Sequence, residues 1–301
     1  MISSLNAASQ SFLTALGQIQ QADQTAQTEL ATGLKINYDS DDPTDIPELW
    51  QTRSDLAQTT QIVSNLGQVQ TEVNAGQSVL QNAVTLVEQA ETLGTQGATD
   101  TASSDTRQNL ADQLGSILQE LVGAANTQVE GRYIFSGDDD QQAPYSVDLT
   151  QSSPISPYQG TATTRQVQSP DGTTFAVAET AQQIFDSSDA QQNVFTSINN
   201  LREALLNNDA DGITSAVGDV QSADTYLNQQ LAFYGNAQDR VSSALNFGQN
   251  YETQLQTQLS GIQDANAAQA ITEMTQAQTQ LQAALQSEAQ IPRTSLFDFL
   301  A

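Results

Sequence analysis

The chain has 301 residues, with eight Lys or Arg against thirty-five Asp or Glu, and a net charge of −27. That balance speaks against nucleic acid and anionic membrane as partners, because phosphate binding needs clustered Lys and Arg. Cys and His are both absent, which excludes disulfides, thiol nucleophiles, imidazole bases and zinc held by nitrogen or sulfur.

The first segment reads as a helix. Ile2, Leu5, Ser9, Phe12, Leu16, Ile19, Asp23, Ala26 and Leu30 alternate at spacings of three and four. Most are apolar, so the stripe is of the coiled-coil kind. A break follows from Gly33 to Pro43. There Ser40, Asp41 and Asp42 precede Pro43, with Asp42 expected to cap the next helix, Pro43 to take its first position and Asp45 to complement its dipole. Trp50 reads as a packing residue of that helix. Ile62, Leu66, Val69, Val73, Gly76, Leu80, Val84, Val87 and Ala90 carry its apolar face to a stop near Gly94–Gly97. A third helix is expected over about 105–128, with Leu110, Leu114, Ile117, Leu121 and Ala124 on one face.

The texture changes between Gly131 and Val177, where Pro144, Pro154, Pro157 and Pro170 fall. Short alternating runs at 145–147, 165–168 and 174–177 read as strands, and Ser169-Pro-Asp-Gly172 reads as the turn of a hairpin. Helical patterns resume near 182–185 and 194–206. A long stripe then runs from Ile213 to Ile262. Asp224, Gln238, Gly248 and Glu252 interrupt it, so a kink or break is expected there. After Asp264 the stripe changes phase. Ile271, Met274, Leu281 and Leu285 mark a last helix that ends before Pro292, and the chain closes on Leu296-Phe297-Asp298-Phe299-Leu300.

The fold class expected is mainly α: an elongated helical rod of paired N- and C-terminal helices with a small β-rich inserted domain. Residues 1–42 and 262–301 would form a terminal assembly domain. Residues 43–130 and 186–261 would form the rod, and 131–185 the β-rich outer domain. The ends carry little charge, and a two-helix unit has too small a core to be stable alone. The expected assembly interface is therefore Ile2, Leu5, Phe12, Leu16, Ile19, Leu30, Ile271, Met274, Leu281, Leu285, Leu296, Phe297 and Phe299.

Catalytic and cofactor sites are not expected. Asn207-Asn-Asp209-Ala-Asp211-Gly212 imitates half of a calcium loop, but the position that needs a bidentate Glu is Gly218. It reads as a helix-connecting turn. Asp138-Asp-Asp140 reads as a solvated turn, and Asp39, Asp41, Asp42 and Asp45 as caps. There is no run of about 18 apolar residues to cross a membrane, and Met1–Asn6 has neither a basic nor an apolar leader region.

Three strings resemble the flagellin superfamily, in particular its branch at the junction of hook and filament. Leu30-Ala-Thr-Gly33-Leu-Lys35-Ile-Asn37 followed by Ser40-Asp41-Asp42-Pro43 is similar to the superfamily's N-terminal motif. Gly131-Arg132-Tyr133-Ile134-Phe135-Ser-Gly137 is similar to the mark that closes the third helix of the junction branch. Ser136 stands where the superfamily often has Ala, a departure without expected consequence. The stretch from Ser260 through Met274 to the apolar tail is similar to the shared C-terminal domain, and Phe233–Arg240 is a looser match. The resemblance implies a structural, non-enzymatic subunit of the bacterial flagellum, exported by the type III route to an extracellular place. A filament subunit is the alternative. It also implies a homo-oligomer forming a ring or helical layer, other hook-associated proteins and flagellin as neighbours, and an export chaperone.

Copies this acidic repel one another, and salt screens that repulsion within about 10 Å at 0.1 M. Self-association measured by light scattering is expected to strengthen as salt rises from low ionic strength. A monotonic weakening would contradict this.

Overall fold

The computed structural model describes the backbone of residues 2–151 and 153–290, and the side chains of 10–151 and 153–287. It is mainly α. Helices α1 (Ile2–Thr32), α2 (Ile46–Gly97) and α3 (Ser104–Ala125) come first. Strands β1 (Gln128–Val129), β2 (Arg132–Tyr133), β3 (Gln166–Gln168) and β4 (Thr174–Ala176) follow, then α4 (Ala181–Phe185), α5 (Val194–Leu206), α6 (Ala210–Gln263) and α7 (Ala267–Gln290). The chain divides into two compact units, residues 1–58 with 252–301, and residues 59–251.

The second unit holds one apolar cluster. From α2 it takes Leu66, Val69, Val73, Leu80, Val84 and Val87, the face the spacing predicts. From α6 it takes Val220, Leu227, Tyr234, Ala237, Val241 and Ala244. The alanines, rather than Gln238 and Leu245, lie deepest there. No break interrupts α6, although Asp224 and Gly248 fall on its covered face. Gly248 instead leaves room for the side chains of Val63 and Pro170, which a Cβ would meet at 2.5 and 3.1 Å.

The β-rich stretch has no apolar cluster separate from the helices. Phe135, Tyr145, Val167, Phe175, Val177 and Phe185 all belong to the cluster of α2, α3, α5 and α6. Its centre is aromatic, with Phe185 stacked on Phe195 at 5.5 Å and Tyr145 edge-on to Phe195 at 5.2 Å. Strands β3 and β4 form the expected hairpin, closed by Ser169–Gly172, with Val167 opposite Phe175. The expected strand at 145–147 is reduced to a single bridge from Val147 to Ile155. Its neighbour, 154–159, takes the Asp148 N–H at Pro154 and gives the Ser156 N–H to Ser146, but Pro154 and Pro157 have no N–H with which to extend the ladder.

One buried cation closes the far end of this unit. Arg107 on α3 is 7% exposed. It donates from Nε to the Gly97 carbonyl at 2.9 Å, and from Nη1 to Asn208 Oδ1 at 2.5 Å. A guanidinium at the C-terminus of α2 faces the negative end of that helix, and the last carbonyls of a helix need donors.

Asp224 interrupts the apolar face of α6 at real cost. Burial raises its pKa, and the nearby charges of Glu88 and Glu91 raise it further. Its Oδ1 is buried without a hydrogen-bond partner. A raised acid destabilises the fold while it is ionised. That penalty is full above its folded pKa and fades as pH falls towards the ordinary 3.8. Asp224→Asn is therefore expected to raise the unfolding temperature at pH 7 by about 1–2 °C, since roughly 1 kcal/mol is worth about 2–4 °C at this size and solvent screening discounts the penalty. The gain should shrink as pH is lowered towards 4, measured by calorimetry.

Candidate functional site

The chain's two ends form one helical pair, in which α1 lies against α7. The covered and half-covered positions of α1 include the stripe Phe12, Leu16, Ile19, Asp23, Ala26 and Leu30, with Thr28 and Glu29 half-covered beside it. Those of α7 are Ala270, Met274, Ala277, Leu281 and Ala284. Both sets step by four and three, the spacing that keeps a seam turned to a partner helix. Ala returns every seven residues on α7, with Met274 and Leu281 between. Small against large side chains let the helices approach closely.

Of the expected interface residues, the structure turns Phe12, Leu16, Ile19, Leu30, Met274 and Leu281 to the covered seam. Ile271 and Leu285 lie off it, 51% and 53% exposed, and Leu13, which the spacing did not single out, is 63% exposed. The side chains of Ile2 and Leu5, and all of Leu296, Phe297 and Phe299, lie outside the described residues.

The seam is not free of charge. Asp23 accepts from Gln27 at 2.8 Å through Oδ2, while its Oδ1 is buried without a partner. Burial raises the Glu29 carboxyl, and Glu273 on α7 raises it further, against an opposing effect of Lys35.

A backbone clasp fixes where the pair begins. Gly33 ends α1 at φ +74°, with its N–H on the Glu29 carbonyl at 2.8 Å. Only glycine takes that left-handed cap without strain. Leu34 then bridges Asp264 antiparallel. Lys35 donates its N–H to the Gln263 carbonyl at 2.7 Å, and Ala265 donates to Gly33 at 2.8 Å. The following turn is tied by its own side chains. Asn37 Nδ2 donates to the Leu34 carbonyl, and Asp41 Oδ2 accepts the N–H groups of Asn37 and Tyr38 at 2.9 and 2.7 Å. Lys35 Nζ holds Asp42 at 2.8 Å and Asp45 at 3.5 Å. The Lys35 hydrogen bond holds the Asp42 carboxyl below its usual range, and Asp42 raises the ammonium in turn. Ser40 and Pro43 are exposed in the turn.

Two expectations at this turn need correction. Pro43 does not open α2. The helix starts at Ile46, and the Asp42 carbonyl accepts the N–H groups of Asp45 and Ile46 at 3.1 and 3.3 Å. The Asp42 carboxylate does accept backbone N–H groups there, those of Thr44 and Asp45, alongside Lys35. Trp50 is not a packing residue. It is 54% exposed, with the Arg53 guanidinium 5.7 Å from its ring centre. The buried face of α2's first turns belongs to Leu49 and Thr52.

Side chains also join the two ends beside the clasp. Gln258 Nε2 donates to Glu48 at 3.0 Å, and Arg53 donates to the Gln263 side chain. These pairs lie 210 residues apart. Nothing in the local pattern of either partner marks them.

The second motif turns a hairpin. Glu130 and Gly131 both have positive φ, 52° and 77°. They form the two-residue mirror-image turn that suits paired strands, and set Val129 opposite Arg132. Arg132 Nη2 reaches Glu72 of α2 at 2.7 Å, and Glu72 also holds Arg165. Tyr133 donates its N–H to Asp140 at 2.8 Å, and Ile134 packs against the core. Phe135 is fully buried, edge-on to Phe185 and Tyr234 at 6.4 and 6.1 Å. A side chain at Gly137 would strike the Thr161 backbone carbonyl. Ser136 proves consequential after all. It is fully buried and donates to the Gln142 carbonyl at 2.6 Å.

Comparison with known sequences fits these two motifs. The N-terminal helical region of bacterial flagellin matches residues 2–140, and its C-terminal helical region matches 217–300. The chain belongs to the flagellin family. Family members are structural parts of the bacterial flagellum, an extracellular appendage, and not enzymes. Flagellar hook-associated protein 3 of Escherichia coli K12 is 24% identical over 291 residues, 89% of this chain and 90% of that protein. Its namesake in Salmonella typhimurium is 28% identical over 191 residues, which span 59% of this chain and 58% of that protein. The crystal structure of flagellar hook-associated protein 3 from Legionella pneumophila shares the fold. Its TM-score is 0.61 at 13% identity, covering 72% of this chain and 98% of that one.

Within this flagellin-family chain the acidic loops are structural. Asp209 accepts the Gly212 N–H at 3.0 Å where α5 gives way to α6, and Asp140 lies 3.9 Å from Arg132.

The clasp carries a prediction. Gly33→Val places a branched side chain at φ +74°, which costs roughly 1–2 kcal/mol. Hydrogen exchange at the Lys35 and Ala265 amides is expected to speed about tenfold, since 1.4 kcal/mol is tenfold. Amides of α3 and α5 should keep their protection. Unchanged exchange at the clasp would contradict this.

Proposed function

We propose that this chain is a structural subunit of the junction between hook and filament, and that it self-assembles through α1 and α7. The observation that carries the assembly reading is the half-covered terminal pair. Its seam is narrow, it carries the carboxyl groups of Asp23 and Glu29, and Leu13, Ile271 and Leu285 remain exposed beside it. A pair of helices with so little shared core is marginal in water and gains stability when neighbouring copies cover it. The set Ile2, Leu5, Phe12, Leu16, Ile19, Leu30, Ile271, Met274, Leu281, Leu285, Leu296, Phe297 and Phe299 supplies that interface. Residues 1–42 with 262–301 act as the assembly domain, residues 43–130 with 186–261 as the rod, and 131–185 as the outward part. The product is a ring or helical layer of copies. Other hook-associated proteins and flagellin are its neighbours, and a chaperone escorts it to export.

The junction reading is supported by the Escherichia coli relative, named a hook-associated protein, which aligns along nearly the whole chain. The flagellin models match the helical ends and leave the middle unmatched. A filament subunit is the second reading, favoured by those same two matches. Location separates the two. Antibody-labelled copies at the hook–filament boundary in electron micrographs are the expected result, and label along the whole filament would overturn the junction.

The assembly mechanism is tested by truncation. Unit two has its own apolar cluster within residues 66–244. Removing 1–34 or 262–301 is therefore expected to leave a helical, soluble monomer by circular dichroism and sedimentation. That monomer should fail to assemble at any salt concentration. Loss of all helical signal would show that the ends belong to the core.

A further inference from the structure

The hairpin β3–β4 has a free edge. Val177 donates to Arg165 and Ser169 donates to Thr173, so the odd-numbered residues of this strand exchange bonds with β4. In an antiparallel pair the alternate residues turn their N–H and C=O groups the other way. The backbone groups of Gln166 and Gln168 therefore point away from β4. The same two residues line a groove of about 390 Å³ whose other wall is α2, including Asn65 and Gln68. Neither Lys, Pro nor a bulge lies within β3 to block its edge, the usual protections of an exposed strand.

The charge of this groove runs against the rest of the molecule. Its charged lining is Arg132, Arg165 and Glu72, two cations and one anion in a chain of net charge −27. Glu72 spends both carboxylate oxygens on the two arginines. Each arginine side chain is still about a third exposed, and a guanidinium has five N–H donors. Backbone hydrogen bonds from a strand edge supply affinity for an extended segment, and side-chain charge selects which segment.

We propose that the free edge of β3 receives an extended acidic segment of a second copy of this chain, as an added antiparallel or parallel strand beside Arg132 and Arg165. The inference rests on the reading that copies assemble, and adds a contact distinct from the terminal helices. A second copy is the occupant the charges favour. It carries thirty-five acidic residues against eight basic ones, and assembly brings copies together at high local concentration.

The native chain lacks cysteine, so Gln168→Cys carries a single photo-crosslinker. Copies labelled with heavy nitrogen are mixed with unlabelled ones, assembled in raised salt and illuminated. Mixed-isotope cross-links from residue 168 to an acidic, non-helical segment are expected. Gln168→Pro removes a donor on the free side while leaving the bonds to β4. It is expected to weaken association about fivefold, the effect of about 1 kcal/mol. Gln168→Ala keeps the donor and should leave association unchanged. Cross-links confined to single copies, or equal association of the Pro and Ala variants, overturn the proposal while assembly itself stands. Failure of the unaltered chain to associate at any salt concentration overturns the assembly reading instead.

Discussion

The antiparallel bridge between Leu34 and Asp264 sets the arrangement of the ends. Where it forms, α1 has just finished and α7 is about to begin, so the register of their seam follows from it. Closing so long a loop costs on the order of 5 kcal/mol of chain entropy, and the chain has no cysteine with which to hold it. Backbone hydrogen bonds, the ties of Asp41 to its own turn, and the Arg53 and Glu48 contacts offset that cost together. The clasp is thus cooperative. Each bond is modest, and the loss of one exposes the others to water.

Scarcity of positive charge shapes the rest. Lys35 braces the break after α1. Arg53 reaches the end of α6, Arg107 closes the far helix ends, and Arg132 and Arg165 converge on Glu72. Arg240 lies over the Phe175 ring at 4.4 Å. Six of the eight basic residues therefore sit at joints between elements. The many carboxylates remain mostly at the surface, where water and salt screen them. Where burial and neighbouring carboxylates raise a carboxyl, as at Asp224 and Glu29, the structure bears a penalty that depends on pH.

That economy separates the two units. Residues 59–251 are held by a wide aromatic and aliphatic cluster that includes the β-rich stretch, and Phe135 links the second motif to it. The terminal unit sets a stripe of mostly large side chains on α1, with Asp23 among them, against the alternating alanines and larger side chains of α7. Stability is concentrated where the chain must hold its shape alone, and is thin where assembly would supply neighbours.

The helices, the hairpin turn at Ser169–Gly172 and the apolar faces of α2 and α3 were legible in the sequence. Periodicity records which face of an element is covered, and turn residues carry their own backbone preference. The glycine motifs were legible as well, since φ at Gly33 and Gly131 is a local demand. The fate of Trp50, Pro43 and Ser136 was not, nor was the failure of 145–147 to pair as a strand. Each depends on a contact that only the folded chain makes: the Asp42 carbonyl taking the Asp45 and Ile46 N–H groups, Gln142 receiving the Ser136 hydroxyl, or a neighbouring segment interrupted by Pro154 and Pro157. The sequence by itself determined that the ends are two weakly charged, stripe-bearing helices. Only the tertiary structure decided which stripe residues the two helices spend on each other. Ile271 and Leu285 remain outside because the Ala270–Met274–Ala277–Leu281 seam meets α1 and a helix has a single side to give it.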